Sequence, residues 1–229
     1  MPQNFRDLCT KIICVGRNYV AHAKELGNEP PSTPIIFLKP PSSFAGDGDA
    51  IHIPHGCQNL HHEIELGVVI ARSNHAKEIA KQDAMDYVSG YAVCLDMTAR
   101  DLQEDAKRKR LPWAVSKGFD TAAPVSTFIE KGKIKDYRRI HLRLTVNNQV
   151  RQQTQCDLMI FDVPTVINYI SKYFTLNRGD VIMTGTPQGV GQVVQGDTLI
   201  SELWVEDERK GNERVHVKMH NKVIQRSRL

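Results

Sequence analysis

No run of about 18 apolar residues, the length that crosses a bilayer as a helix, occurs in this 229-residue chain. The longest apolar stretches, such as residues 66–71, have the length of a strand, so no membrane role and a soluble protein are expected. Its five cysteines, at positions 9, 14, 57, 94 and 156, are odd in number and scattered, and no C-x-x-C pair occurs. That excludes a zinc ribbon or a disulfide scaffold and fits a reducing compartment. The N-terminus has no apolar core for a signal peptide, and Arg6 and Lys11 with Asp7 between them make a poor transit peptide. Repeats, low-complexity blocks and long linkers are also missing.

Charge of one sign is scarce too, the formal net charge being +4. One basic run, Lys107-Arg108-Lys109-Arg110, stands without interleaved aromatics or a second cluster. It reads as a solvated helix end where cations complement the dipole, so no nucleic-acid partner is expected. A glycine-rich turn follows Gly185-Thr186-Pro187, but no lysine follows Gly191, which argues against a nucleotide-binding P-loop.

What is present is ordinary globular composition, 41% hydrophobic and 24% charged, in a length suited to one catalytic domain over residues 1–229. Strands are expected at residues 11–15, 63–71, 89–96, 143–146 and 181–184. Helices are expected at residues 19–26, ended by Gly27, near 76–85, at 98–110 with Thr98 as cap, and from Pro164 to about residue 174. Asn147-Asn148 reads as a hairpin turn, Asn177-Arg178-Gly179-Asp180 as a turn into a strand, and residues 206–211 as a charged turn in a final hairpin. The second half is rich in strands without a regular β-α-β alternation, which argues for a mixed, mostly β architecture.

Two carboxylates stand out. Glu63 and Glu65, one residue apart on an expected strand, leave the same face about 6 to 7 Å apart. Buried among Ile64, Leu66, Val68 and Val69 they would repel, so something positive belongs between them. An isolated E-x-E is more often a solvent-facing edge, but Asp96, where an apolar strand hands over to a helix, supplies a third acid. Three carboxylates form an all-oxygen set suited to Mg²⁺, Mn²⁺ or Ca²⁺ rather than zinc. By strand alternation His61 shares the face of the glutamates and is the better candidate for an orienting role, ahead of His62.

Near the N-terminus, His22 and Glu25 are i and i+3 on a helical turn, where a carboxylate can hold the imidazole as a general base. A surface pair without chemistry is the simpler alternative. Arg17, just before them, is expected to meet the substrate. Gly16 and Gly27 are compatible with hinges of a lid segment near residues 16–30, although glycine also merely ends helices.

Four segments, in this order, resemble the fumarylacetoacetate hydrolase superfamily: His61-His62-Glu63-Ile64-Glu65-Leu66, then Leu95-Asp96-Met97-Thr98-Ala99-Arg100-Asp101-Leu102-Gln103, then Leu111-Pro112-Trp113 through Lys117-Gly118-Phe119-Asp120, then Gly179-Asp180-Val181-Ile182-Met183-Thr184-Gly185-Thr186-Pro187-Gln188-Gly189-Val190-Gly191. Within it the likeness is to the acylpyruvase and oxaloacetate decarboxylase branch. The resemblance implies an α+β fold, a mixed β-sandwich roll with peripheral helices, and a homodimer. It implies Mg²⁺ or Mn²⁺ on Glu63, Glu65 and Asp96, a substrate lysine at Lys117, which alone would read as a surface lysine, and a substrate glutamine at Gln103. It also implies substrate-carboxylate contacts from Gly185 and Thr186, and a lid carrying His22 and Glu25. The activity implied is C–C hydrolysis of acylpyruvates or decarboxylation of oxaloacetate, a small 2-oxo acid, in the cytoplasm or mitochondrial matrix. An oxaloacetate tautomerase, an aromatic-degradation isomerase and a metal-stabilised binding protein are the alternatives. The last three residues, Ser227-Arg228-Leu229, resemble a peroxisomal address.

Overall fold

A computed structural model describes residues 5–71, 77–206 and 213–225. Its framework is two sheets. The larger runs in the order Ile129–Glu130, Val88–Leu95, Ile64–Ile70, Val181–Met183, Ile12–Gly16, Ile35–Lys39. The second runs Gln149–Gln155, Ile140–Val146, Thr198–Glu206, Glu213–Gln225, Ala50–Ile53. Pairing in both is antiparallel except where Ile12–Gly16 meets Val181–Met183 and Glu213–Gln225 meets Ala50–Ile53. A mixed α+β sandwich with few, short helices results, as expected.

The sequence patterns explain the layers. The Ile140–Val146 strand alternates, with Ile140, Leu142, Leu144 and Val146 buried and the residues between them half-buried, so one face meets the core. The Ile64–Ile70 strand is buried at every position and accordingly reads as a continuous apolar run interrupted by Glu65 and Gly67. Gly67 is small of necessity, since a Cβ there would collide with Cys94 Sγ. Leu66, Val68 and Val93 of the first sheet and Leu142, Leu144 and Leu203 of the second share one buried cluster, which is the seam of the sandwich. Burying that seam, at about 25 cal/mol per Å² of apolar surface, is what allows charged groups to be held at its rim.

Local signals mostly place the elements. Asn147 and Asn148, with φ of 48° and 65°, form the turn between Ile140–Val146 and Gln149–Gln155, a backbone asparagine tolerates. Asp162 caps the Val163–Ser171 helix by accepting from Thr165 N at 2.8 Å, with proline in the first turn. Three expectations need correction. The helix expected from Thr98 begins at Arg100, because Thr98–Ala99 pairs with Leu60–His62 as a short strand and Thr98 Oγ1 donates to Asp96 O rather than capping. The element expected near residues 76–85 is a 3₁₀ helix, Lys81–Tyr87; Ala76 lies outside the described residues. The strand expected from Glu63 starts at Ile64, with Glu63 in the break after Leu60–His62. The final hairpin is formed by Thr198–Glu206 and Glu213–Gln225, while its turn and the Ser227-Arg228-Leu229 tail lie outside the described residues. No helix among the described residues is long and apolar enough to cross a membrane.

Candidate active site

The break at Glu63 creates the site. Asp96 N donates to Glu63 O at 2.8 Å, and Ile64 pairs with Leu95, so the ends of two adjacent strands bring their acids together. Glu63, Glu65 and Asp96 are all buried, and each offers an oxygen within 4.8 Å of the others.

Cations answer two of the three acids. Lys117, at the end of the Ala114–Lys117 helix and 3% exposed, donates to Glu63 Oε2 at 2.9 Å, Asp96 Oδ2 at 2.6 Å and Thr98 Oγ1 at 2.6 Å. Burial disfavours its charge, but Asp96 and Glu63 outweigh that and hold the ammonium above its ordinary pKa. Arg100 pairs with Glu63 Oε1 and donates to Gln103 Oε1 at 2.6 Å. Burial works to raise the Glu63 carboxyl, yet Lys117 and then Arg100 hold it well below the usual range. Lys39, wholly buried, lies 2.8 Å from Asp96 Oδ1 as an ion pair and donates to the Met97 and Lys117 carbonyls.

Glu65 differs. Among the described residues it has no cationic partner; Gly185 N donates to its Oε2 at 2.7 Å. Burial, then the Asp96 and Glu63 carboxylates, push its carboxyl well above the ordinary range. Three buried oxygen donors, one of them uncompensated, fit a hard divalent cation.

The cluster opens into a cleft lined also by Arg17, His22, Gln103 and Thr186 and by the apolar side chains of Leu26, Ile35, Phe37 and Trp113. His22, which lines this cleft, and Glu25 lie on the Val20–Glu25 helix. His22 Nδ1 is 3.0 Å from Glu25 Oε2, and Glu25 Oε1 accepts from Gly189 N at 2.9 Å. His22 is 4% exposed, so the pair is not a solvated surface contact. The helix is anchored at its start by Asn18, which donates to Phe161 O and Thr184 O at 3.0 and 2.8 Å and accepts from Phe161 N at 2.7 Å. Arg17, in the left-handed region at φ 56°, donates to Asn28 Oδ1 at 2.9 Å, tying the two ends of the segment together.

The structure therefore brings every sequence-predicted site residue to one place, Gly185 by its N–H to Glu65. His61 is the partial exception. It faces Asn59 and accepts from Arg100 Nε at 3.4 Å, so any orienting effect on Glu63 passes through Arg100. Burial and then Arg100 push His61 down to about 4, which keeps the ring neutral and able to accept. The basic run is the solvated helix end expected of it: Lys107 pairs with Glu104, and Arg108 and Lys109 pair with Asp105, on the surface. Lys107 in addition lies 5.8 Å from the Trp113 ring centre and borders the cleft. Sequence reasoning did not single out Lys39, Arg100, Asn18 or Gln152; Lys39, a charge closing the apolar Ile35–Lys39 strand, was the one with a visible signal.

Residues 11–222 match the fumarylacetoacetate (FAA) hydrolase C-terminal domain, which is most of the chain. The chain belongs to the fumarylacetoacetate hydrolase family. Among its relatives, the mitochondrial oxaloacetate tautomerase of Homo sapiens is 47% identical over 188 residues, 82% of this chain and 84% of that one. The mitochondrial oxaloacetate decarboxylase of Dictyostelium discoideum is 53% identical over 190 residues, 82% and 86% of the two chains. A fumarylpyruvate hydrolase from Pseudomonas aeruginosa, solved in complex with Mn²⁺ and pyruvate, superposes with a TM-score of 0.85 at 32% identity, covering 95% of this chain and 91% of that one. As a member of the fumarylacetoacetate hydrolase family with these relatives, the chain is a metal-dependent enzyme.

Proposed function

We propose that this enzyme uses Mg²⁺ or Mn²⁺ to act on small 2-oxo acids, hydrolysing acylpyruvates to pyruvate and a carboxylic acid and decarboxylating oxaloacetate to pyruvate. The observation that carries this reading is the buried Glu63, Glu65 and Asp96 cluster beside Lys117, at the base of a cleft covered by His22. A divalent cation held by the three carboxylates supplies Lewis-acid polarisation of the 2-oxo group.

The protein's own groups do the rest. Thr186 and the Gly185 loop receive the substrate carboxylate, with Arg17 lining the same cleft. Lys117 and Gln103 face the negative charge that develops on the 2-oxo oxygen as the bond breaks. His22, oriented by Glu25, takes a proton from water, which adds to the distal carbonyl of an acylpyruvate. The bond between that carbonyl carbon and the methylene then breaks; the acyl part leaves as a carboxylic acid, and the three-carbon part gains a proton to become pyruvate. Oxaloacetate loses CO₂ instead, with no water added. Keto–enol tautomerisation of oxaloacetate needs only the proton transfer, and the name of the human relative supports it as a companion activity.

A homodimer belongs to this proposal: the edge strand Ile35–Lys39 leaves Leu38 41% exposed near Tyr173, 67% exposed, an apolar border a second copy would cover. The relatives' names support the mitochondrial matrix as the compartment. The experiment is pyruvate release from acetylpyruvate and from oxaloacetate, with enol decay followed in parallel, before and after chelation and re-addition of Mg²⁺ or Mn²⁺. Turnover that stops with the chelator and returns with the ion is expected. No turnover in any of the three assays, with metal bound and the fold intact, would refute the reading.

A further inference from the structure

Gln152 belongs to an edge strand, Gln149–Gln155, whose neighbours Arg151 and Gln153 are exposed, yet it is 1% exposed itself. Its amide is fully engaged. Oε1 accepts from Ile64 N and from His62 Nδ1, each at 3.0 Å, while Nε2 donates to Pro187 O at 2.9 Å and to Thr186 Oγ1 at 2.8 Å. Two of these partners allow only one role. A backbone N–H can only donate and a backbone carbonyl can only accept, so Ile64 and Pro187 together fix which end of the amide is oxygen and which is nitrogen.

The other two partners inherit their roles. His62 must carry its proton on Nδ1. Thr186 must accept from Gln152, so its own proton cannot go to Gln152 and is left for the cleft that Thr186 lines.

We propose that Gln152 is a positioning residue that makes the Thr186 hydroxyl an obligate hydrogen-bond donor toward the substrate carboxylate. The inference rests on the substrate pose above, in which that carboxylate lies at the Gly185–Thr186 loop. Gln152 also spans from this loop to Ile64, the residue between Glu63 and Glu65. One side chain thereby sets the distance between the carboxylate receptor and the metal-binding acids.

The test is a double-mutant cycle. Gln152→Glu keeps the acceptor for Ile64 N and His62 Nδ1 but presents an acceptor to Thr186. The hydroxyl then donates to the carboxylate introduced by the substitution and turns its lone pairs on the substrate. KM for oxaloacetate rises about tenfold or more, the scale of one hydrogen bond to a charged acceptor, with kcat and the Mn²⁺ dissociation constant held within about twofold. Gln152→Met, a neutral variant that removes the donor to Thr186 and the acceptor for Ile64 N alike, leaves the hydroxyl free to rotate; it gives a smaller rise in KM together with weaker Mn²⁺ binding, and its KM keeps the test available if the glutamate variant does not fold. In a Thr186→Val background the methionine substitution changes KM no further, and the glutamate substitution raises it less than in the wild type, through the repulsion of its charge alone. Equal KM ratios in both backgrounds, or a fall in kcat and Mn²⁺ affinity along with the rise in KM of the glutamate variant, would overturn the role of Gln152 and leave the substrate pose standing. A Thr186→Val single variant with unchanged KM would overturn the pose, and this inference with it.

Discussion

Lys117 Nζ donates to Asp96 Oδ2 at 2.6 Å, with both side chains buried. An ammonium out of water beside carboxylates that a divalent cation also needs means that lysine and metal share counter-charge. Removing one partner of a buried ion pair costs about 3–5 kcal/mol, because the remaining charge is left unpaired. Lys117→Met is therefore expected to lower the melting temperature of the chelated protein sharply, and Mn²⁺ is expected to raise it by more in the variant than in the wild type. Thermal melts with and without Mn²⁺ check this; equal metal-induced shifts would contradict it.

His22 and Glu25 separate the two chemistries. Hydrolysis of an acylpyruvate needs a water deprotonated at the cleft, and loss of CO₂ from oxaloacetate does not. A positioned general base contributes about 10²–10⁴-fold, so His22→Ala should lower kcat for acetylpyruvate by that order and spare oxaloacetate decarboxylation by comparison. Parallel losses on both substrates, measured as pyruvate release, would remove the water-activating role from His22.

Gly185 offers a control on the cluster's geometry. Its φ is 100°, and a Cβ there would lie 2.6 Å from Cβ of Asn18, the residue that anchors the start of the Val20–Glu25 helix, while its N–H holds Glu65. Gly196, at φ 96°, has open space around its missing Cβ. Gly185→Ala should weaken Mn²⁺ binding by calorimetry at least about tenfold, a lost hydrogen bond to a charged group, whereas Gly196→Ala costs stability alone.

A pH effect is expected away from the site. Burial acts to raise Glu202, but hydrogen bonds and charge from Arg143 and Lys218 bring it from 4.5 to about 2. A carboxyl depressed on folding adds stability above its unfolded pKa, and that contribution is lost as pH falls from about 4.5 through about 2. Glu202→Gln should lower the melting temperature at pH 7, and the difference from wild type should shrink across that acidic window. A difference constant from pH 7 to pH 2.5 would contradict the assignment.

How much of this was legible in the sequence follows from the reach of each signal. Glu65 was visible because a charge within the Ile64–Ile70 run is costly unless something answers it, and Asp96 because it ends a buried strand. Asn147-Asn148 and Pro164 marked their turn and helix start through strictly local backbone chemistry. Thr98 misled for the same reason: its hydroxyl suits a cap, but tertiary pairing with His61 and the contact to Lys117 redirected it. Lys117 read as a surface lysine on its own residues, and only the family resemblance placed it inside. Gln152 gave no signal, since its four partners lie 34 to 90 residues away in the chain and meet only once the two sheets pack.

The most direct measurement is Mn²⁺ binding and pyruvate release from oxaloacetate, determined on the same preparations of wild type and Glu65→Ala. The account predicts one ion per chain in the wild type, and loss of both binding and turnover when Glu65 is removed. Undiminished turnover in Glu65→Ala, or in wild type stripped of metal, would contradict it.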